Sequence, residues 1–223
     1  MNNIPVLTID GPAGSGKGTV VEHVAKELGW HILDSGALYR IVAVAAEKKN
    51  IAFDDDSLAE LAEKLDAVFL PCEGGGVEVR LDGEDVSKVI RTEDCGCAAS
   101  KIAANAEVRK ALLQRQRDYL LSPGLVADGR DMGTVVFPNA FAKIFLTASA
   151  EERAKRRYKQ LNEKGQDVIL SRLILDIQER DKRDMSRAEA PLKAADDAIT
   201  IDTSDLSIEE VVARVLDIVK KKR

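Results

Sequence analysis

A chain of 223 residues, 45% apolar and 32% charged, has the composition of a folded domain with one substantial core, which excludes disordered and fibrous classes. Its net charge of −5 excludes a surface built to coat a nucleic-acid polymer, so any basic site must be local. The apolar runs fall far short of the ~20 residues of a membrane helix, and MNNIPVLTIDG carries no basic leader region, so a cytoplasmic protein with no membrane partner is expected.

The first element is VLTID (6–10), a short β-branched and apolar run that reads as a buried strand. A glycine-rich turn follows, GPAGSGKGT (11–19), and then a helical pattern from Lys17 to Leu28 with apolar residues at Val20, Val21, Val24 and Ala25 and a stop at Gly29. HIL (31–33) reads as a second strand, followed by DSG and a helix through Ala46. The stretch from about Leu65 to Ile90 departs from this rhythm. AVFL, EGGG and the alternating VEVRLDG predict a small antiparallel unit, inserted rather than separate because no linker-like composition flanks it. Ser100 and Arg109 then bracket a helical region.

LVAD (125–128), AKIFLT (142–147) and AITID (198–202) are further strands. Ser149 with Glu152, and Ser207 with Glu210, form S-x-x-E capping boxes that mark helix starts. Strands alternating with helices predict an α/β fold: a three-layer, doubly wound parallel sheet with ligands at the carboxyl ends of its strands. There is no internal repeat. Cys72, Cys95 and Cys97 are odd in number and lack zinc spacing, so reduced structural thiols are expected. With His23 and His31 the only histidines, a His-based triad or His-rich metal site is hard to assemble.

The glycine turn can direct backbone N–H groups at phosphate oxygens while the helix N-terminus adds its positive dipole end. Lys17 would reach the terminal phosphates and Thr19 can support Mg²⁺, although Gly18 stands where the commonest phosphate-loop template has a hydroxyl. In DSGALYR (34–40), Asp34 and Ser35 can cap a helix, and Arg40 lies about one turn in, where a planar charged fork suits a second anion. In LVADGRDMG (125–133), Asp128 ends an apolar strand, as acids that hold Mg²⁺-bound water do, and Arg130 and Asp131 follow on the loop. Arg153, Arg156, Arg157 and Lys164 share one helical face, and spacing leaves the arginines among them equivalent. In the next helix the stripe Leu170, Leu173, Ile174 and Ile177 continues as Arg180, Asp184 and Arg187 without changing direction. Burying those groups unpartnered would be costly, so they are expected to face a polar cavity beneath a hinged cover.

One polyphosphate at the glycine loop and a second phosphate at Arg40, Arg130 and Arg187 imply transfer between two phosphorylated ligands. A phosphate acceptor is already ionised, its second pKa being about 6, so alignment and charge stabilisation suffice without a general base.

GPAGSGKGT matches the G-x-x-G-x-G-K-G-T loop of nucleoside monophosphate kinases, in which glycine separates Lys from Thr. DSGALYR, IRTEDCGCAAS, LVADGRDMGTVVFP and ERDKRDMSRAEAPL together resemble the bacterial cytidylate kinases nearly end to end. The resemblance implies transfer of the γ-phosphate of ATP to CMP or dCMP by direct in-line attack with Mg²⁺. It also implies three parts: a core (1–64, 107–150, 188–223), a monophosphate-binding insert (about 65–106) and a helical lid (about 151–187). Carried onto this chain, Gly11, Pro12, Ala13, Gly14, Ser15, Gly16, Lys17, Gly18, Thr19 and Arg156 would hold ATP, with Thr19 on Mg²⁺ directly or through water. Arg40, Arg130 and Arg187 would hold the CMP phosphate, with Asp128 among the CMP ligands; Arg180 and Asp184 would meet its ribose side. Ser35, Ser100, Arg109 and Asp131 would read cytosine. By the same resemblance Lys17, Arg130, Arg153, Arg157 and Arg187 would form the catalytic set, and a monomer is expected. A GTPase would require an N-K-x-D signal, which is absent; a UMP, AMP or shikimate kinase and a non-catalytic nucleotide-binding module are the alternatives.

Overall fold

The computed structural model describes residues 4–71, 77–163, 165 and 167–222. Cys72, the EGGG turn and Lys164 lie outside the described residues. In chain order the elements begin with β1 (Val6–Asp10), α1 (Lys17–Leu28), β2 (His31–Asp34), α2 (Ser35–Lys48), α3 (Ser57–Glu63), β3 (Ala67–Pro71), β4 (Val77–Leu81) and β5 (Glu84–Asp85). They continue with α4 (Glu93–Ile102), α5 (Ala106–Arg117), β6 (Leu125–Gly129), β7 (Ala142–Thr147), α6 (Ala150–Glu163), α7 (Leu170–Met185), β8 (Ile199–Asp202) and α8 (Ile208–Lys222). The chain forms two compact units, one made of the segments up to Asp34 and from Arg117 onward, the other running Ser35–Gln116.

The first unit holds a five-stranded parallel sheet in the order β2-β6-β1-β7-β8, with flanking helices. β1 is central, and all five of its residues are buried. Its side chains alternate between faces. Leu7 and Ile9 join Val20, Val21 and Val24 of α1 and Val211, Val215 and Val219 of α8 in one apolar cluster. Thr8 and Asp10 point to the other face. The doubly wound sheet expected from the strand–helix alternation is therefore present, and all five strand assignments stand.

The capping boxes differ. At Ser207 both halves form: its Oγ accepts from Glu210 N at 3.2 Å and its own N–H donates to Glu210 Oε2 at 2.8 Å. At Ser149 the hydroxyl accepts from Glu152 N at 3.1 Å, but among the described residues no return bond forms, and Glu152 Oε1 accepts from Lys155 Nζ at 2.6 Å. The Ser149 N–H turns instead to Ser204 Oγ.

The second unit contains the antiparallel sheet β3-β4-β5, with Ala67 opposite Leu81 and Pro71 opposite Val77, as the alternating pattern predicts. The helical region bracketed by Ser100 and Arg109 is two helices. Asn105 separates them: its side chain accepts from Glu107 N and Val108 N at 3.0 and 3.2 Å, an N-cap that starts α5.

Candidate active site

β1 delivers the chain into the glycine turn, where Gly14 and Gly16 adopt φ of 77° and 85°, a left-handed conformation that side-chain-bearing residues resist. α1 starts directly after it, so its unpaired N–H groups and Lys17 stand at the same place. Lys17 is only 8% exposed. Its Nζ donates to Pro12 O at 3.1 Å and lies 4.0 Å from Asp128 Oδ1. Burial, and then the positive field of Arg130, push its ammonium down to about 8, against the opposing pull of Asp128. Asp128, near the end of β6, is pushed up to about 6, chiefly by burial; Lys17 opposes the shift and Asp34 adds to it. Asp34 is registered against Asp128 across β2 and β6.

A lysine that is buried, near two arginines and poorly neutralised is arranged for an incoming anion. Its titration gives a direct prediction. At pH about 8, binding of metal-free ADP should take up a fraction of a proton, because the phosphates return Lys17 to its charged form. Calorimetry in two buffers of different ionisation enthalpy measures this uptake, and it should vanish in Lys17→Ala.

A second charged cluster forms where α7 ends. Leu173 packs with Ala154 and Leu161, flanked by Leu170, Ile174 and Ile177, which is the apolar stripe read from the sequence. Its continuation reaches Asp184, 1% exposed. Arg187 Nη2 reaches Asp184 Oδ1 at 2.6 Å, and Arg130 Nε reaches Asp184 Oδ2 at 3.2 Å. Burial would raise the Asp184 carboxyl, but Arg130, Arg187 and Arg180 outweigh it and hold it below the usual carboxylate range. Arg187 Nε is buried without a hydrogen-bond partner among the described residues. One carboxylate thus serves two guanidinium groups, leaving net positive charge at a buried place.

The loop after β6 winds into a π-helical turn, Met132–Val136, with Asp131 buried at its start. The carbonyl of Asp131 accepts from Val135 N and Val136 N at 2.9 and 3.2 Å. Asp10 supports the turn from β1, its carboxylate accepting from Met132 N and Gly133 N, both at 2.8 Å. Burial, only partly offset by those bonds, pushes the Asp10 carboxyl up to about 7.

The three arginines that spacing left equivalent have different surroundings. Arg153 is buried, donates to Ala148 O and to Ala13 O of the glycine turn at 3.0 Å each, and forms a two-toothed ion pair with Asp181. Arg156 binds Thr203 through Oγ1 at 3.1 Å and through the carbonyl, and Thr203 Oγ1 in turn reaches Ser15 O at 3.3 Å. Arg157, half-buried on α6, donates to Gln160 Oε1 at 3.1 Å. Thr19 is exposed on α1.

The second unit carries the remaining candidates. Ser35 Oγ donates to Gln116 Oε1 at 2.6 Å. Arg40 donates to Ile90 O and Thr92 O at 2.6 and 3.0 Å. Arg109 donates to Ala103 O at 3.2 Å, its guanidinium 5.7 Å from the centre of the Tyr39 ring, and Ser100 is buried on α4. Sequence reasoning missed Asp10, Asp181 and Gln116. For Asp10 the signal was present, since an acid closing an apolar strand was the argument used for Asp128.

A parallel sheet whose central strand feeds a glycine turn, a helix N-terminus and a buried lysine defines the P-loop kinase fold. A gluconokinase from Sinorhizobium meliloti 1021 shares the fold with TM-score 0.50 and 16% identity, over 98% of this chain and 93% of that one. The cytidylate kinase family model matches residues 7–221, and the chain belongs to the cytidylate kinase family. Its relatives include a cytidylate kinase of Shewanella loihica, 55% identical over 98% of this chain and 95% of the relative. Another, from Aeromonas salmonicida, is 58% identical over 95% and 92%. A third, from Colwellia psychrerythraea, is 57% identical over 95% and 94%.

Proposed function

We propose that this chain transfers the γ-phosphate of ATP to CMP or dCMP, giving ADP and CDP or dCDP. The observation that carries the proposal is the pair of anion-seeking clusters in the first unit, Lys17 at the glycine turn and the Arg130–Asp184–Arg187 group. Within this assignment, residues 11–19 and Arg156 hold the donor, and Lys17 follows the charge that develops between the donor phosphates during transfer. Arg40, Arg130 and Arg187 orient the acceptor phosphate, which attacks with its own ionised oxygen. Asp184 fixes two of those guanidiniums and, with Arg180, faces the ribose. Ser35, Ser100, Arg109 and Asp131 select the base, and Arg153 and Arg157 neutralise the moving group. The insert at about 65–106 serves the acceptor, and the lid at about 151–187 excludes competing water.

Thr19 and Asp128 are the groups that fit Mg²⁺ entering with the nucleotide. Asp128 is a half-buried carboxylate whose desolvation raises it to about 6 against the pull of Lys17, and a dication nearby would hold it charged. Bound there, the ion would polarise the donor phosphates. No group of three His, Cys, Asp or Glu among the described residues is placed to hold a metal ion. No helix among the described residues is long and apolar enough to cross a membrane, and we take the working form to be a cytoplasmic monomer.

Coupled ADP release with ATP·Mg²⁺ against CMP, dCMP, UMP, AMP and shikimate tests the proposal. CMP and dCMP should give the highest kcat/KM. Preference for AMP or shikimate would overturn the substrate assignment, and ATP hydrolysis indifferent to every acceptor would mark a nucleotide-binding module instead. Asp131→Ala should lower the CMP-over-UMP preference at least about tenfold, since it removes a buried hydrogen-bonding group. Unchanged discrimination would remove Asp131 from the base site.

A further inference from the structure

Among buried titratable groups, Asp10 has no part in the reaction just described, yet both of its carboxylate oxygens are hydrogen-bonded. The pleat of β1 turns Asp10 away from the apolar cluster of Leu7 and Ile9 and onto the face where the 132–136 turn lies. It is 5% exposed, and each carboxylate oxygen takes one backbone N–H, Oδ1 from Met132 and Oδ2 from Gly133. A buried carboxylate is an expensive way to fill space. What it offers over an amide is two acceptor oxygens in a fixed fork. Asparagine in the same pose would satisfy one N–H and set its own NH₂ against the other.

The approach is close. A Cβ added to Gly133 would lie 2.9 Å from Thr8 Oγ1, 3.2 Å from Lys143 Cδ and 3.4 Å from Asp10 Oδ2, so a side chain there would force Thr8, Lys143 or the turn itself to shift beside the fork. The residues immediately before the two captured amides are Arg130 and Asp131. The residue immediately after Asp10 is Gly11, the first of the glycine turn. One side chain therefore spans the start of the donor loop and the start of the acceptor loop.

We propose that Asp10 is a positioning residue that locks the 130–133 loop to the base of the phosphate loop and so sets where Arg130 and Asp131 meet the acceptor. This rests on the acceptor-binding roles given to Arg130 and Asp131 above. It is a tie between loops and not a ligand contact, so its loss should act on the acceptor far more than on the donor.

The test uses Asp10→Asn and Gly133→Ala, which break the tie from opposite sides, with Asp131→Ala as control. Initial rates give kcat and the separate KM values for CMP and ATP, and amide hydrogen exchange reports on Met132 and Gly133. For both tie variants, KM for CMP should rise roughly ten- to a hundredfold, as loss of a charge-assisted buried bond implies, while KM for ATP shifts less than about threefold. CMP-over-UMP preference should fall, and the Met132 and Gly133 amides should exchange faster. A role in fold stability alone would lower Tm and leave the folded fraction with wild-type KM for CMP, and that result overturns the proposal. If Asp10→Asn does not fold, Gly133→Ala decides. If Asp131→Ala keeps wild-type CMP binding and discrimination, the base-site assignment fails and the proposal falls with it. If Asp131→Ala loses both while the tie variants do not, only the role of Asp10 is refuted.

Discussion

Lys17→Ala is expected to lower kcat/KM by about 10³-fold or more, the scale on which preorganised charge at a phosphoryl-transfer site acts. The fold should survive. Among the described residues Lys17 makes one hydrogen bond, to Pro12 O, and its ion pair with Asp128 is long at 4.0 Å, so little native interaction is lost. Burial already disfavours its ammonium, which lowers further what its removal can cost. Far-ultraviolet circular dichroism and thermal melting should therefore match the parent while coupled ADP release collapses. Wild-type turnover in a folded Lys17→Ala protein would refute the donor site.

Asp184→Ala is expected to be severe in the opposite way, destabilising the fold by about 3–5 kcal/mol, as removal of one partner from a buried ion pair does. The side chain is 2% exposed and that of Arg187 is 3% exposed, so bulk water does little to replace the lost anion. Arg130 and Arg187 would then face one another across the vacated place. Urea unfolding measures the loss, and added phosphate should recover more stability in the variant than in the parent by occupying the same charges. The pH dependence has a fixed sign. Because Asp184 is held below its usual value of 3.8, its contribution is present above that pH and is lost as pH falls through the lower folded value. Asp184→Asn should accordingly flatten the acid limb of the stability profile. A variant as stable as the parent would show that the cluster is exchangeable.

Much of this molecule is legible in its sequence because its signals are local. VLTID, LVAD and AKIFLT are apolar runs of strand length, and GPAGSGKGT sits between a strand and a helix, where its glycines have a backbone reason. The stripe from Leu170 to Ile177 is periodic, and following that period groups Arg180, Asp184 and Arg187 on one side before any contact is known. What escaped is of two kinds. Competition for partners cannot be read from a motif: Ser149 and Glu152 have the spacing of a capping box, but Lys155, one turn on, captures the glutamate. Partnerships distant along the chain carry no local mark either. Asp181 selects Arg153 from a row of look-alike arginines, and Asp10 meets amides more than a hundred residues away. The substrate-reading roles rest on motif resemblance, since cytosine leaves no period in a sequence.

The alternation within β1 has a further implication for how this chain tolerates change. Leu7 and Ile9 of this buried strand pack among valines, whereas Thr8 and Asp10 turn to the opposite face, where Asp10 holds the turn after β6. Side chains in a strand repeat every two residues, so inserting or deleting a single residue there exchanges the two sides. A carboxylate would enter the valine cluster, and a leucine or isoleucine would replace the fork that holds the turn. β1 can therefore change length only in steps of two if its faces are to be kept.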